Sequence, residues 1–187
     1  IHHFTAAFRS LFALLPAWMV FFSPVAGAVC LVGVVRLTRS PVREYVPEII
    51  EASIRHSAVR LKDGLVCLLT SLLTLCSGGS AGPEGPMAYA GATTGSFLGR
   101  LFRREQRQSK IFLAAGTAAG IAAIFNAPIA GVLFALELIL LNDLTMSAVT
   151  PVILASVSAS TVNYYFMGNQ PTFVVPAFAM RDYLELF

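Results

Sequence analysis

Charged side chains are scarce in this sequence, and their scarcity narrows the class of protein. Only 12% of the 187 residues are charged, whereas 56% are hydrophobic; an average soluble domain carries about 25% charged residues. The formal net charge of +3 is too small to predict a nucleic-acid partner. The composition therefore argues against a soluble domain and predicts a protein embedded in a lipid bilayer.

Cysteine and histidine are also few, and neither has the spacing that metal-binding or redox sites require. The three cysteines lie in apolar segments without the CxxC spacing of metal or redox sites, so we expect small buried side chains: Cys30, Cys67 and Cys76. The three histidines have no metal-ligand partners at useful spacing: His2, His3 and His56. We therefore expect no metal, no cofactor and no enzymatic activity.

An initiator Met and a signal-peptide pattern are both missing from the start of the chain. The sequence also starts and stops abruptly, and no internal repeat is visible within it. We therefore expect a piece of a longer protein.

Long apolar stretches are what the sequence has in abundance. Residues 11–35 are long enough to span a bilayer, and Pro16 and Pro24 are expected to kink or interrupt that helix. Residues 146–166 predict another span, which ends in two tyrosines at an interface. Between them, residues 111–136 contain no charged side chain and many small ones, which let helices pack closely in a bilayer.

Shorter apolar stretches predict helices that do not cross the whole bilayer. Residues 46–48 carry a proline and a glutamate that suit the start of a short helix. Residues 64–76 form an apolar stretch that is short for a full crossing. Asn126 is expected to cap a new helix and Pro128 to begin it, which places a break in the chain here.

Charge within the second half of the chain is confined to a few places. Residues 100–110 form the most basic run and predict a loop in water, which the positive-inside rule would make cytoplasmic. Glu137 lies in the apolar helix predicted over residues 127–141. An acid inside such a helix costs about 2.5–3.5 kcal/mol on insertion scales, so we expect Glu137 to face a partner or a cavity.

The segment Gly-Gly-Ser-Ala-Gly-Pro-Glu-Gly-Pro at residues 78–86 places one carboxylate, Glu84, among glycines and prolines between apolar stretches. Pro86 suits the first turn of a helix, and residues 87–101 suit a membrane helix. Two glycines are expected to give the loop backbone freedom: Gly82 and Gly85. Free N–H groups and the positive end of the helix dipole would then face an anion, with Glu84 as its neighbour or its competitor.

These segments together resemble the CLC family of chloride channels and proton/chloride exchangers. The family loop G-K/R-E-G-P is similar to residues 82–86. The family block A-A-G-x-A-A-G-x-A-x-x-F-N-A-P-x-A-G-x-x-F-x-x-E is matched nearly throughout by residues 114–137. Residues 46–48 resemble the end of the filter motif G-S-G-I-P, and residues 173–176 resemble a segment after the first repeat. The resemblance covers nearly the whole chain.

The resemblance implies an all-α membrane protein with the CLC-type fold of tilted and broken transmembrane helices. In that fold two inverted repeats point half-helices at a site in the middle of the membrane. Residues 1–187 look like a partial CLC transmembrane domain, with most of the first repeat and without the second. The resemblance further implies a homodimer with one pore in each subunit, integral and multi-pass, and we expect it in the plasma membrane.

The resemblance also assigns roles to particular residues. Glu84 stands at the position of the gating glutamate, which occupies the anion path and moves away when it is protonated or displaced. The anion would lie against the residues that surround this gate: Gly82, Pro83, Gly85, Pro86 and Met87.

The chain departs from the family pattern at several of these positions. Pro83 replaces the basic residue before the gate. Glu44 stands where the filter has its serine, and a carboxylate there would repel an anion; a solvated residue in a shifted loop is an equal alternative. Tyr45 stands where the filter has glycine. Leu138 replaces the acid that transfers protons in the exchangers, and it directly follows Glu137, for which a structural or interface role and a place in a proton pathway both stay open.

We therefore expect passive, channel-like transport of chloride or a similar small anion through a path gated by Glu84. One alternative is a proton-coupled exchanger that uses another proton route. The other is a degenerate homologue that no longer conducts, which the altered residues favour: Glu44, Tyr45 and Pro83.

Overall fold

The computed structural model describes residues 17–39, 45–55, 59–102, 106–140 and 145–168. Within these ranges the chain forms seven helices and no strand: α1 (Ala17–Thr38), α2 (Tyr45–Ile54), α3 (Leu61–Cys76), α4 (Glu84–Leu101), α5 (Gln106–Phe125), α6 (Pro128–Leu138) and α7 (Met146–Met167). The all-α class is confirmed. The predictions for Pro16, Glu44, the three histidines and residues 173–176 fall on residues outside the described ranges.

In the described part of the chain, three helical stretches are long and apolar enough to cross a membrane: Phe21–Thr38, Gln108–Phe125 and Met146–Met167. α1 continues through Pro24, so the expected interruption there is wrong. Membrane helices tolerate an internal proline when neighbouring groups satisfy the freed carbonyl. Cys30 on the same helix is exposed, which corrects the expectation of a buried thiol, whereas Cys67 and Cys76 are buried as predicted.

The centre of the described chain is a close contact between α4 and α5. A Cβ atom on Gly91 would collide with the carbonyl oxygen of Gly116, and a Cβ on Gly116 would collide with that of Gly91. Gly95 and Gly120, one turn further along each helix, also lie against backbone of the opposite helix. Such pairs of glycines four residues apart let membrane helices approach backbone to backbone.

The break between α5 and α6 is confirmed, but its geometry differs from the prediction. α5 ends at Phe125 and α6 begins with Pro128. Asn126 does not cap α6, since Ala127 holds the N-cap position without a side-chain hydrogen bond. Asn126 instead has a left-handed backbone with φ 51°. Asparagine tolerates that conformation better than most residues, so it ends one helix rather than starting the next.

Small polar residues of α7 bind it to the two preceding helices. The Ser156 hydroxyl donates to the Pro128 carbonyl at 2.6 Å, and the Ser160 hydroxyl donates to the Ala122 carbonyl at 3.2 Å. Both serines are buried within the chain. These two serines therefore serve packing between helices of one chain, whereas Ser158 is exposed.

One end of the helix bundle gathers basic side chains. Lys62 at the start of α3 donates to the carbonyl of Thr38, the last residue of α1, at 2.9 Å. Arg36 lies in the last turn of α1. Arg100, near the end of α4, donates to the Val59 carbonyl at 3.0 Å, just before α3. These contacts place the α1 carboxyl end, the α3 amino end and the α4 carboxyl end together; we call this the basic face.

Candidate functional site

The loop before α4 is held by the way α3 ends. Gly78 has a left-handed backbone with φ 86°. This turn lets the Gly78 N–H donate to the Leu75 carbonyl at 3.3 Å and the Gly79 N–H donate to the Thr74 carbonyl at 2.9 Å. The pattern is a Schellman ending, in which a residue of positive φ closes the helix. Glycine is needed at residue 78 for this conformation.

The sequence predicts backbone freedom at two glycines of the loop. In the structure these positions are small because neighbouring side chains leave no room for a Cβ atom. Neither Gly82 nor Gly85 has a positive φ, which corrects the prediction. A Cβ atom on Gly82 would collide with the carboxylate of Glu84. A Cβ atom on Gly85 would lie 3.3 Å from the ring of Tyr45. Both positions are therefore small because other side chains occupy the adjoining volume.

Contacts with helix α1 fix the position of this loop along that helix. The Ser23 hydroxyl donates to the Ser77 carbonyl at 3.1 Å, and Gly27 packs so closely that a Cβ there would collide with the Ser77 side chain. At a rise of 1.5 Å per residue, the stretch of α1 from Gly27 to Thr38 is about 16 Å long, and the whole helix is about 33 Å. The loop thus lies near the middle of α1.

Helix α4 begins at Glu84, three residues earlier than predicted, with Pro83 as its N-cap residue. The Met87 N–H donates to the Pro83 carbonyl at 3.0 Å. Because Pro83 and Pro86 carry no N–H, the first turn has only two free donors, on Glu84 and Gly85. No described residue accepts a hydrogen bond from either. These donors and the helix dipole form a place where an anion is stabilised.

The Glu84 carboxylate lies at this same helix end. Glu84 is exposed within the described chain, and its carboxylate folds back against Gly82. Since α4 has no side-chain cap, the carboxylate is not used to close the helix. It is a negative group beside two free donors, which is the arrangement expected of a competitor for a bound anion.

A second helix begins beside the first. Tyr45, the first residue of α2, packs its ring against Gly85, and the ring centre lies 5.8 Å from that of Tyr89. The amino ends of α2 and α4 therefore converge, although Tyr45 replaces the glycine of the family filter. Met87 is half-buried in the first turns of α4 and Pro86 is buried.

The two residues considered for proton transfer lie at the end of α6. Leu138 is half-buried and packs against the hydrophobic core, whereas Glu137 is exposed. Adjacent residues of one helix point in different directions, as expected. α6 packs on α5 and α7, and just after its last residue the Ile139 carbonyl accepts a hydrogen bond from the Ser53 hydroxyl of α2 at 3.1 Å.

The sequence did not predict a cavity of about 140 Å³ that lies beside this site. Helices α1, α2, α3 and α4 enclose it together with Ala81 and Gly82 of the loop, and two carboxylates, Glu48 and Asp63, reach it. The sequence feature that could have indicated this cavity is the spacing of polar residues along α3. Its cavity face carries a row of such residues: Asp63, Cys67, Thr70, Ser71 and Thr74.

Comparison with known proteins identifies the family of this chain. Residues 18–187 match the family described as voltage gated chloride channel. The chain belongs to this family. The resemblance noted in the sequence is thereby confirmed, and CLC proteins are membrane transporters or channels for anions. The apolar helices agree with an integral membrane protein.

Several curated relatives are similar to this CLC chain. A ClcB-like protein of Ralstonia nicotianae is 30% identical over 173 residues, which cover 88% of this chain and 39% of that protein. Chloride channel protein CLC-e of Arabidopsis thaliana is 37% identical over 63% of this chain and 18% of its own length. The voltage-gated ClC-type chloride channel ClcB of Yersinia pseudotuberculosis is 35% identical over 62% and 29%. The chain spans less than two fifths of the length of these relatives.

Proposed function

We propose that this CLC chain forms part of a passive path for chloride or a similar small anion, gated by Glu84. The observation that carries the proposal is the pair of free N–H donors at the start of α4, near the middle of α1, with a carboxylate beside them. An anion and the Glu84 carboxylate would compete for the same donors. The placement in the plasma membrane stays a prediction.

The free energies involved favour weak binding of the anion and its rapid passage. One helix end stabilises a nearby anion by about 0.3–2 kcal/mol. A charged side chain at the bilayer centre costs about 2.5–3.5 kcal/mol on insertion scales. The converging start of α2 adds to the attraction, whereas Pro83 removes the positive charge that the family places before the gate. Conduction requires binding that is weak enough for the ion to leave, and the small stabilisation by a helix end supports a site of this kind.

Replacing Glu84 by glutamine is expected to raise anion flux several-fold and to flatten its dependence on pH. A neutral side chain no longer competes as an anion for the α4 donors, and it does not titrate. The measurement is chloride efflux from liposomes that hold the full-length protein, across a series of external pH values. The matched control is Glu51→Gln on α2, whose carboxylate is exposed and paired with Arg55 at 3.0 Å. Unchanged flux and pH dependence in Glu84→Gln would reject the gate.

Two other functions are each favoured by one observation. The acid-lined cavity beside the loop favours a proton-coupled exchanger with a route of its own. The Tyr45 ring against Gly85 favours a homologue that no longer conducts, because it narrows the space before the α4 donors. The efflux measurement separates the second from the proposal, since a non-conducting protein gives no chloride flux with either Glu84 or glutamine.

We also propose that the protein is a homodimer that uses the outer face of α6. Ile129 and Leu133 lie on one face of this helix and are 75% and 59% exposed. Glu137 follows four residues later on the same face and is exposed as well. A row of exposed apolar side chains with one acid fits a subunit contact better than a transport site, and this supports the interface reading of Glu137.

Leu133→Trp is expected to shift the full-length protein toward the monomer, because a bulky side chain would hold the two α6 faces apart. Light scattering after size-exclusion chromatography in detergent measures the mass of the protein complex. The control is Leu69→Trp on α3, where the wild-type leucine is 54% exposed. If Leu133→Trp and Ile129→Trp both stay dimeric, the α6 face is not the contact.

A further inference from the structure

The basic face carries exposed cations from three helix ends, and carboxylates offset only part of their charge. In the described part of the chain, the ion pairs near this face join Arg55 to Glu51 and Arg60 to Asp63, each at 3.0 Å. The other exposed cations have no carboxylate partner among the described residues: Arg36, Arg39, Lys62 and Arg100. The basic face therefore keeps an excess of positive charge.

Two of these cations are held in place by backbone carbonyls. Lys62 donates to the Thr38 carbonyl at 2.9 Å, and Arg100 donates to the Val59 carbonyl at 3.0 Å. A carbonyl oxygen carries only a partial negative charge, so each side chain keeps most of its positive charge. These hydrogen bonds therefore fix where the two cations lie without neutralising them.

The two arginines at the end of α1 make no such contact. Arg36 and Arg39 are exposed, and no hydrogen bond or ion pair joins either side chain to another described residue. The negative end of the α1 dipole favours cations in this turn, but it does not use their hydrogen-bond donors. Each guanidinium has five N–H donors in a planar arrangement. Both arginines are therefore available to a partner that offers several acceptor oxygens.

The backbone of Arg39 gives a second indication of such a partner. Arg39 directly follows α1 and has a left-handed conformation with φ 50°. Glycine most often holds this position at the end of a helix, because a Cβ atom disfavours the conformation. Arginine thus makes the end of α1 less stable than glycine would. A contact of its side chain with a group outside the described chain would offset that loss.

Exposed apolar side chains lie at the same helix ends as these cations. Leu37, between the two arginines, is 88% exposed, and others lie at the ends of α2 and α4: Ile54, Leu101 and Phe102. Since Phe21–Thr38 is long enough to cross a membrane, we expect the end of α1 at the boundary between acyl chains and headgroups. There the apolar side chains meet acyl chains, and the arginines reach the headgroups.

We propose that the basic face is a binding surface for anionic phospholipids, whose phosphate groups contact Arg36 and Arg39. A guanidinium can bind two phosphate oxygens at once, and clusters of cations beside a membrane helix attract anionic headgroups. The exposed apolar side chains fit the acyl chains of the same lipid, which a soluble anion lacks. α4 has 18 residues, so its amino end lies about 27 Å from this face, and the inference does not depend on the proposed gate.

The experiment is native mass spectrometry of the full-length protein in a neutral detergent, titrated with phosphatidylglycerol or phosphatidylcholine. The wild type is expected to bind phosphatidylglycerol about tenfold more tightly, because only this lipid has a net negative charge. Arg36→Gln and Arg39→Gly are each expected to weaken that binding about fivefold. Glycine suits the positive φ at residue 39, so the second variant keeps the end of α1 intact. The matched control is Arg55→Gln, which changes the charge equally but removes a cation already paired with Glu51.

Arg55→Gln is expected to bind phosphatidylglycerol as the wild type does, within about twofold. Equal losses in all three variants would show a response to net charge alone and would overturn the proposal, as would equal affinity for the two lipids. Unchanged binding in both Arg36→Gln and Arg39→Gly would mean that another part of the protein or a second copy covers this face, which also overturns it. Millimolar inorganic phosphate is expected to leave the lipid bound. Displacement by phosphate would identify a soluble anion as the partner instead.

Discussion

Gly116→Ala is expected to abolish the yield of monodisperse full-length protein. The added methyl group would overlap the carbonyl oxygen of Gly91, which belongs to the backbone and cannot rotate away. Forcing extra volume into a packed interior costs about 1–3 kcal/mol even where side chains can adjust. Here two helices have to separate along their whole contact, so we expect a cost beyond that range. Folded proteins are stable by only about 5–15 kcal/mol.

The measurement is size-exclusion chromatography of a fluorescent fusion after detergent extraction. The matched control is Gly33→Ala on α1, since a Cβ atom there would meet nothing within 4 Å. It is expected to elute as the wild type does. Gly91→Ala should fail in the same way as Gly116→Ala, because each glycine accommodates the carbonyl of the other. Wild-type elution of both variants would show that α4 and α5 do not touch at these glycines.

Local signals predicted the elements that depend on a few neighbouring residues. The break between α5 and α6 follows from Pro128, which can begin a helix but cannot continue one. The prolines and glycines on either side of Glu84 predicted a helix start nearby, although α4 begins three residues before the predicted position. Family resemblance added the fold, because long motifs in a fixed order are specific in a way that composition is not, and it suggested the gating role that we propose for Glu84.

The incorrect predictions concern residues whose type alone does not determine the local conformation. Pro24 lies inside a continuous helix, and Asn126 ends a helix instead of capping the next one. Gly82 and Gly85 suggested backbone freedom, yet the positive φ falls on Gly78. In each case the residue allows several conformations, and tertiary packing selects one of them.

The cavity could not be predicted from the sequence, for a different reason. In the sequence, Glu48 is part of a predicted helix start and gives no sign of a cavity. Only the fold brings Glu48 and Asp63 to one cavity with Tyr89, which is distant from both along the chain. A pattern of hydroxyl groups on one face of α3 was visible, but such a face predicts burial without naming its neighbours.

Coupling of anion flow to protons requires acids that pass each proton across the membrane in step with the anion. Glu84 can serve at the gate. The family's second acid is replaced by Leu138, whose side chain has no donor or acceptor. Glu137 is exposed on another face of α6, so we expect that it does not replace this acid.

The reversal potential of the full-length protein is therefore expected to follow chloride alone. With a tenfold chloride gradient across a planar bilayer, a passive conductor reverses near the Nernst value of about 59 mV. A change of pH in one bath should alter the size of the current and leave this potential in place. A potential that moves with the pH gradient would establish exchange. Glu137→Gln and Glu48→Gln would then identify its route, because the variant that returns the potential to the chloride value removes the acid that carries the proton.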